Sequence, residues 1–350
     1  MSPVLAPANS SRHLTDQHEP RVFTALVRTK WEPTWTTSCT MNVFAESATR
    51  HSVLLILYTI SIVHLDSARA REPGQADTSP PGSTLGFSVA ENPPPGFYLV
   101  NQANYSDVWT TNATTSSEIG PRGRVGVESV KFVWSTPWEI FGARELMFII
   151  QPYVDVKLSD LPGLGIQTPQ SGNFANTGFQ PINLSWDLGR DLYGSVNFGF
   201  YPPAPNYNKA ASINVGNNFW AFEPEVAISY VRQSLDLTLH LVYTTNTRNI
   251  ATDYRSGDQV LTEVNATKKF RSTEVGLVGY LTDQITADNN GGKFYVSHVP
   301  PTTPFRFALG PLVGQVLGRY HVQAYFTRDL IARDGGEKGT LIWINITRAL

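Results

Sequence analysis

Between Leu235 and Tyr243 the chain reads LDLTLHLVY, and polar and apolar positions alternate. Leu235, Leu237, Leu239, Leu241 and Tyr243 fall on one side. Asp236, Thr238 and His240 fall on the other, where Val242 is the only apolar member. Successive side chains of a β-strand point to opposite faces, so this is a strand with one apolar and one polar side. Comparable alternation predicts strands at Phe97–Tyr105, Val125–Trp138, Arg144–Leu158, Phe179–Leu188, Leu192–Tyr201, Trp220–Val231, Gln259–Thr267, Thr273–Thr282, Phe305–Gly314, Tyr320–Thr327 and Thr340–Leu350. That makes about twelve strands, each near the length that crosses a bilayer at a tilt.

Taking the apolar side as the outer one, Leu146, Phe148, Ile150, Val154, Val156 and Leu158 oppose Glu145, Gln151, Tyr153, Asp155 and Lys157. Trp220, Phe222, Val226, Ile228 and Tyr230 oppose Glu223, Glu225 and Ser229, whereas the first strand and the Gln259 strand mix polar residues into both faces. The connections alternate between short and long. Short ones fall near 139–143, 189–191, 232–234, 268–272 and 315–319. Long ones fall near 109–124, 159–178, 202–218, 245–258, 283–304 and 328–339. Outer-membrane barrels have short periplasmic turns and long extracellular loops. With an even strand number both termini sit on the short-turn side, and here the first and last connections are both long. The expectation is therefore an all-β, transmembrane, up-and-down antiparallel barrel over residues 96–350, in preference to a soluble sandwich or lipocalin-like barrel. The last strand, TLIWINITRAL, ends in Leu350 where such proteins often carry an aromatic, and Arg348 interrupts its apolar face.

Composition agrees. Charged residues are 16% of the chain, against roughly 25% in a typical soluble domain. Aromatics reach 11%, with 18 Phe and 14 Tyr, which favours strands. The net charge of −2 gives no sign of a nucleic-acid partner. The single cysteine, Cys39, leaves the rest of the chain without disulfides, thiolate metal ligands or a thiol nucleophile. From Met41, Arg50 and His51 precede an apolar run from Val53 to Leu65, and Ala68-Arg69-Ala70 follows. The run is too short to span a membrane, so residues 41–70 read as a signal peptide cleaved after Ala70. Residues 1–40 read as a disordered extension or a start assigned too early. Residues 71–95, rich in Pro, Gly and Ser, read as an irregular segment able to act as a periplasmic or lumenal plug.

The stretches PPGFYLVN (94–101), NVGNNFWAFEPEVAISY (214–230), NTRNIATDYRSGDQ (246–259), GLVGYLTDQIT (276–286) and ALGPLVGQ (308–315) together resemble the bacterial meta-pathway phenol-degradation protein family. The resemblance covers nearly all of residues 93–350. It rests on strand and loop signatures and not on a catalytic constellation. It implies an outer-membrane transporter associated with catabolism of aromatic and other hydrophobic compounds, and it carries over no binding residues.

The candidate lumen-lining residues are Glu223, Glu225, Asp236, His240, Tyr153, Asp155, Lys157, Tyr280, Arg306, His321 and Tyr325, with Tyr193 and Tyr201 on the same parity. Folding the hairpin near Gln233 brings Glu225 directly or diagonally opposite His240, close enough to pair. Such a pair is either a ligand site or a polar network that stiffens the barrel. Lys157, Arg306 and Arg328 are candidate partners for buried acids, since an unpaired buried charge is costly. Inward tyrosines could stack on an aromatic solute. Trp134, Trp186, Trp220, Tyr230, Tyr243 and Tyr320 are expected in interfacial girdles. No histidine pair has metal-site spacing. The reading is a cofactor-free channel for passive entry of a small hydrophobic, aromatic solute, set in outer-membrane lipid and inserted by the outer-membrane assembly machinery. The alternatives are a non-transporting structural or adhesive barrel and, less favoured, a hydrolase built on Ser229, His240 and Asp236.

Overall fold

The computed structural model describes residues 72, 74–75, 77–111, 118–159, 170–211, 213–295 and 303–350. The expected signal peptide, its cleavage at Ala70 and the extension over 1–40 lie outside the described residues. The strands are β1 (Gly96–Thr111), β2 (Glu118–Ile140), β3 (Ala143–Ser159), β4 (Gln170–Phe174), β5 (Gly178–Gly189), β6 (Leu192–Tyr201), β7 (Ala221–Arg232), β8 (Leu235–Asn246), β9 (Tyr254–Arg255), β10 (Gln259–Phe270), β11 (Thr273–Gln284), β12 (Asn289–Asn290), β13 (Phe305–Leu317), β14 (Tyr320–Arg333) and β15 (Glu337–Ala349). Twelve of them form one antiparallel ring, each paired with its neighbours in sequence, and β1 closes it against β15 from Tyr98↔Ala349 to Thr110↔Glu337. Closure leaves no strand edge unpaired, as hydrocarbon surroundings demand. β4 extends the outer end of β3, and β9, in the loop after β8, pairs with β12, in the loop after β11.

The short turns are two-residue hairpins. Phe141 and Gly142 have φ of 53° and 76°, and Arg190 and Asp191 have φ of 56° and 65°. Such turns match the twist of the flanking strands. The long-loop ends of the strands lie opposite, so the barrel has the two-ended asymmetry read from the connections.

The outer face carries the two aromatic belts of an outer-membrane barrel. At the long-loop end Phe179 stacks on Phe200, with ring centroids 5.3 Å apart, and Phe200, Trp220 and Phe222 continue the row. At the short-turn end Phe97 stacks on Trp134 at 5.7 Å, and Trp134 meets Trp138 edge-on at 4.9 Å. Between the belts Ile149, Val196, Val226, Ile228, Leu237, Leu277, Val313 and Ile344 are exposed, forming a lipid-facing band.

Strand β3 departs from its predicted orientation. Leu146, Phe148, Ile150 and Val154 line the lumen. Tyr153, 43% exposed, packs edge-on to Phe174 on the outside, and Asp155 and Lys157 are exposed on the same outer face. The assumption that apolar means lipid-facing fails here because this part of the lumen wall is itself apolar. The outward polar side chains sit at the long-loop end of β3, beyond Ile149 and within reach of water. Arg328 is likewise exposed on the outer face and donates to Thr340 Oγ1 at 3.4 Å, so it partners no lumenal acid.

A lumen lined by two kinds of wall

The described residues between 72 and 95 run along the barrel interior as a strap. Its first described residue, Glu72, is held among the long loops. The Glu72 carboxylate accepts from Asn249 Nδ2 at 3.0 Å, Thr252 Oγ1 at 2.7 Å and Tyr295 OH at 3.4 Å, and its N–H donates to Ser256 Oγ. Burial raises the Glu72 pKa, and the hydrogen bonds from Thr252 and Asn249 oppose the rise. The strap leaves at the short-turn end. There Asn92 donates to the carbonyls of Arg144 and Asn183, and Ser135 donates to Pro93 O at 2.7 Å.

In between, the strap takes most of its bonds from β7, β8 and β10, and Gln102 of β1 and Asn345 of β15 donate to the carbonyls of Ser83 and Leu85. Glu263 accepts from the N–H groups of Gly82 and Thr84 and from the Thr84 hydroxyl. Asn265 accepts from Gly86 N–H at 2.9 Å and donates to Phe87 O at 2.9 Å. Ser88 donates to Asp236, Ser79 donates to Glu223 at 2.7 Å, and Ser229 accepts from Ala90 N–H. From β14, three strands round from β10, Gln323 and Tyr325 donate to Gly86 O and Gly82 O, both at 2.7 Å. A strap lacking regular structure must satisfy its backbone groups this way or leave them buried and unpaired. Gly82 and Gly86 have φ of 98° and 85°, and a Cβ at Gly82 would sit 2.6 Å from Trp343 Nε1. Leu85 is fully buried in a cluster with Leu312, Tyr325 and Trp343.

The inward polar residues of β6–β8 and β10 form one network with the strap. His240 Nε2 is 3.0 Å from Glu225 Oε2, and His240 Nδ1 is 3.0 Å from Thr84 Oγ1. The Glu225–His240 contact is diagonal, since Ala227 is the direct partner of His240. Glu223 also accepts from Thr244 at 3.0 Å, and Tyr201 OH meets Ser79 Oγ at 3.0 Å. Farther round, His321 Nε2 lies 3.0 Å from Glu274, which also accepts from Thr267 and Gln323. Arg306 forms two bonds to Asp329 and one each to Glu337 and Tyr280 OH. Tyr193 lies on the same inner parity of β6 as Tyr201. Ser229 Oγ is bonded to Thr238 and to the strap, while both His240 nitrogens are engaged elsewhere. These three residues therefore do not form a Ser–His–Asp relay. Glu263, Asn265 and Glu274 escaped the sequence reading. The polar admixture in the Gln259 strand is the signal for Glu263 and Asn265, and Glu274 at the start of the Thr273 strand has none.

Opposite this network the wall changes character. β1–β3 present Val100, Val125, Val127, Val133, Leu146, Phe148, Ile150 and Val154 to the lumen. Phe87 of the strap packs on Val100, Val133 and Leu146. The space between strap and walls is a cavity of about 860 Å³.

Among solved structures, the COG4313 outer membrane channel from Pseudomonas putida F1 superposes with a TM-score of 0.66 at 11% identity, over 78% of this chain and 100% of that one. A Pseudomonas aeruginosa FadL homologue matches at TM-score 0.40 and 10% identity, over 81% and 99% of the two chains. The CymD monoaromatic hydrocarbon channel matches at 0.39 and 8%, over 73% and 89%. The first likeness shows the shared barrel fold, and the other two are too distant to carry weight. No curated protein matches by sequence. The family model described as "Putative MetA-pathway of phenol degradation" matches residues 100–346, which takes in the apolar wall, the acidic network and the closing strand. With the ring, the belts and that match in agreement, the chain belongs to this family of phenol-degradation-associated barrels.

Proposed function

We propose that the protein is an outer-membrane channel for passive uptake of small hydrophobic, aromatic compounds, with residues 71–95 as its lumenal plug. One observation carries this reading. The strap takes most of its hydrogen bonds from the polar wall, and on the side of β1–β3 the remaining space is bordered mainly by valine, leucine, isoleucine and phenylalanine, with Gln102, Asn104, Ser129 and Lys131 set among them. A water-filled pore has a polar interior. An apolar flank instead offers a route on which a hydrophobic solute sheds its hydration shell gradually, and Tyr98 and Phe148 on that flank can stack on an aromatic ring. The family's description supports an aromatic compound as cargo. The outer belts and lipid-facing band support insertion in the outer membrane, and the closing strand β15 is the segment the assembly machinery would meet last. No cofactor is needed for passage, and the hydrogen bonds of Ser229 and His240 support a role other than hydrolysis.

The test is bilayer conductance and whole-cell phenol uptake, with and without residues 71–95. Uptake dependent on the protein and larger currents after deletion are expected. Silent bilayers with both forms, and unchanged uptake in cells lacking the gene, would leave a structural or adhesive barrel as the better reading.

A further inference from the structure

The apolar wall holds two cations that have no ion-pair partner within 4 Å among the described residues, although Glu225 and Glu263 attract Lys131 across the lumen and Glu91 of the strap attracts Arg144. Lys131 lines the cavity from the middle of β2, opposite Val100 on β1 and Ile150 on β3. Its ammonium lies over the Phe148 ring, 4.5 Å from the centroid. Among the described residues it has neither an ion pair nor a hydrogen bond. Arg144 lines the same cavity six residues beyond Ile150, about 20 Å along the wall at strand rise. Among the described residues its guanidinium makes no ion pair within 4 Å. The direct contacts of five lumen acids go to other groups. Glu223 and Glu263 bind the strap, Glu225 meets His240, Glu274 meets His321, and Asp329 meets Arg306. A lysine in an apolar lining is costly to keep without a counter-charge in direct contact, and this one borders the cavity.

We propose that the passage selects amphipathic organic anions, and aromatic carboxylates first, with Lys131 as the specificity-determining residue. The wall of Val100, Val133, Phe148 and Ile150 takes the ring, and the Lys131 ammonium takes the carboxylate. Arg144 offers the next positive station toward the short-turn end. This inference rests on the channel reading and narrows its cargo. A neutral aromatic uses the apolar wall alone, whereas a ring bearing a carboxylate uses wall and ammonium together. The geometry suits benzoate-like solutes better than larger dianions, because a single cation faces each station.

The test is equilibrium dialysis of radiolabelled benzoate and of its neutral analogue benzyl alcohol against the purified barrel in detergent, corrected for micelle uptake. Wild type should hold benzoate more tightly. Lys131→Met should weaken benzoate by about tenfold or more and leave benzyl alcohol unchanged, as loss of one charge-assisted bond predicts. Lys131→Arg should keep most of the preference. Heat-shifted gel migration confirms that each variant is folded. Equal binding of the two solutes by wild type, or benzoate binding indifferent to Lys131→Met, would overturn the proposal. Conductance is scored separately. Silent bilayers with intact benzoate binding would count against the channel and leave the anion site standing, whereas open channels without benzoate preference would do the reverse.

Discussion

Removing the Glu263 carboxylate should release the strap without unfolding the barrel. In Glu263→Ala, Gly82 N–H, Thr84 N–H and the Thr84 hydroxyl lose one shared acceptor. A hydrogen bond to a charged group contributes about 1.5–3 kcal/mol net. The three share a single carboxylate, and the adjoining cavity lets water reach part of the vacated site, so their contributions do not add fully. A loss of about 3 kcal/mol is the working value, which shifts the docked-to-undocked ratio by about 10²-fold. The barrel ladders are backbone bonds and do not pass through this side chain, so heat-shifted gel migration should be unchanged. Planar-bilayer recordings should show a much larger fraction of time in a high-conductance level. Chymotrypsin should cut at Leu85 or Phe87, which the docked strap protects. Unchanged dwell times and unchanged cleavage in a folded variant would refute the idea that Glu263 holds the strap.

Arg306→Met should be the most damaging single change in the wall. It leaves Asp329 buried without its guanidinium partner, at a cost of about 3–5 kcal/mol, readable as a lower urea midpoint for unfolding in detergent. Gly82→Ala should loosen the strap, since the added Cβ meets Trp343 at a φ of 98°; chymotrypsin sensitivity of residues 85–87 reports it. The raised pKa of Glu72 favours its protonated form in the docked state. The stabilisation it gives is therefore full below the ordinary glutamate pKa and fades as pH rises through the raised value. Current noise from the outer anchor should fall as pH is lowered toward 4.5, and Glu72→Gln should abolish that dependence. Deleting residues 72–94 should expose Glu223, Glu225, Asp236 and Glu263 together and turn the pore cation-selective, measured as a reversal potential in a salt gradient.

Strand number, closure and loop polarity were legible because lipid imposes a period-two pattern and two-residue turns fix where it resets. On β7 and β8 the polar side is unambiguous, so Glu225 and His240 could be placed together. β3 was misread for a reason intrinsic to this lumen. Where the lumen face of a strand is itself apolar, alternation no longer says which side is inside, and the charged end at Asp155 and Lys157 faces outward at the long-loop end of β3. Lys131 was hidden by the same effect, as one charge among valines and phenylalanines. The partners of the strap were illegible because an irregular segment has no register. Only closure of the ring shows that Thr84 meets Glu263, 179 positions away.

The strap enters at one rim and leaves at the other, which makes the molecule a threaded ring. β1, which continues directly from the strap, is also one side of the seam that closes against β15. Whichever strand pair zips last, the strap must already be inside the loop or be drawn through the finished hole. The first route requires the acidic wall to capture the strap while the ring is still open, so the lumen contacts would act as an assembly template before they act on any solute. Variants of Glu263, Asn265 and Asp236 would then mature slowly even where the finished barrel is as stable as the original.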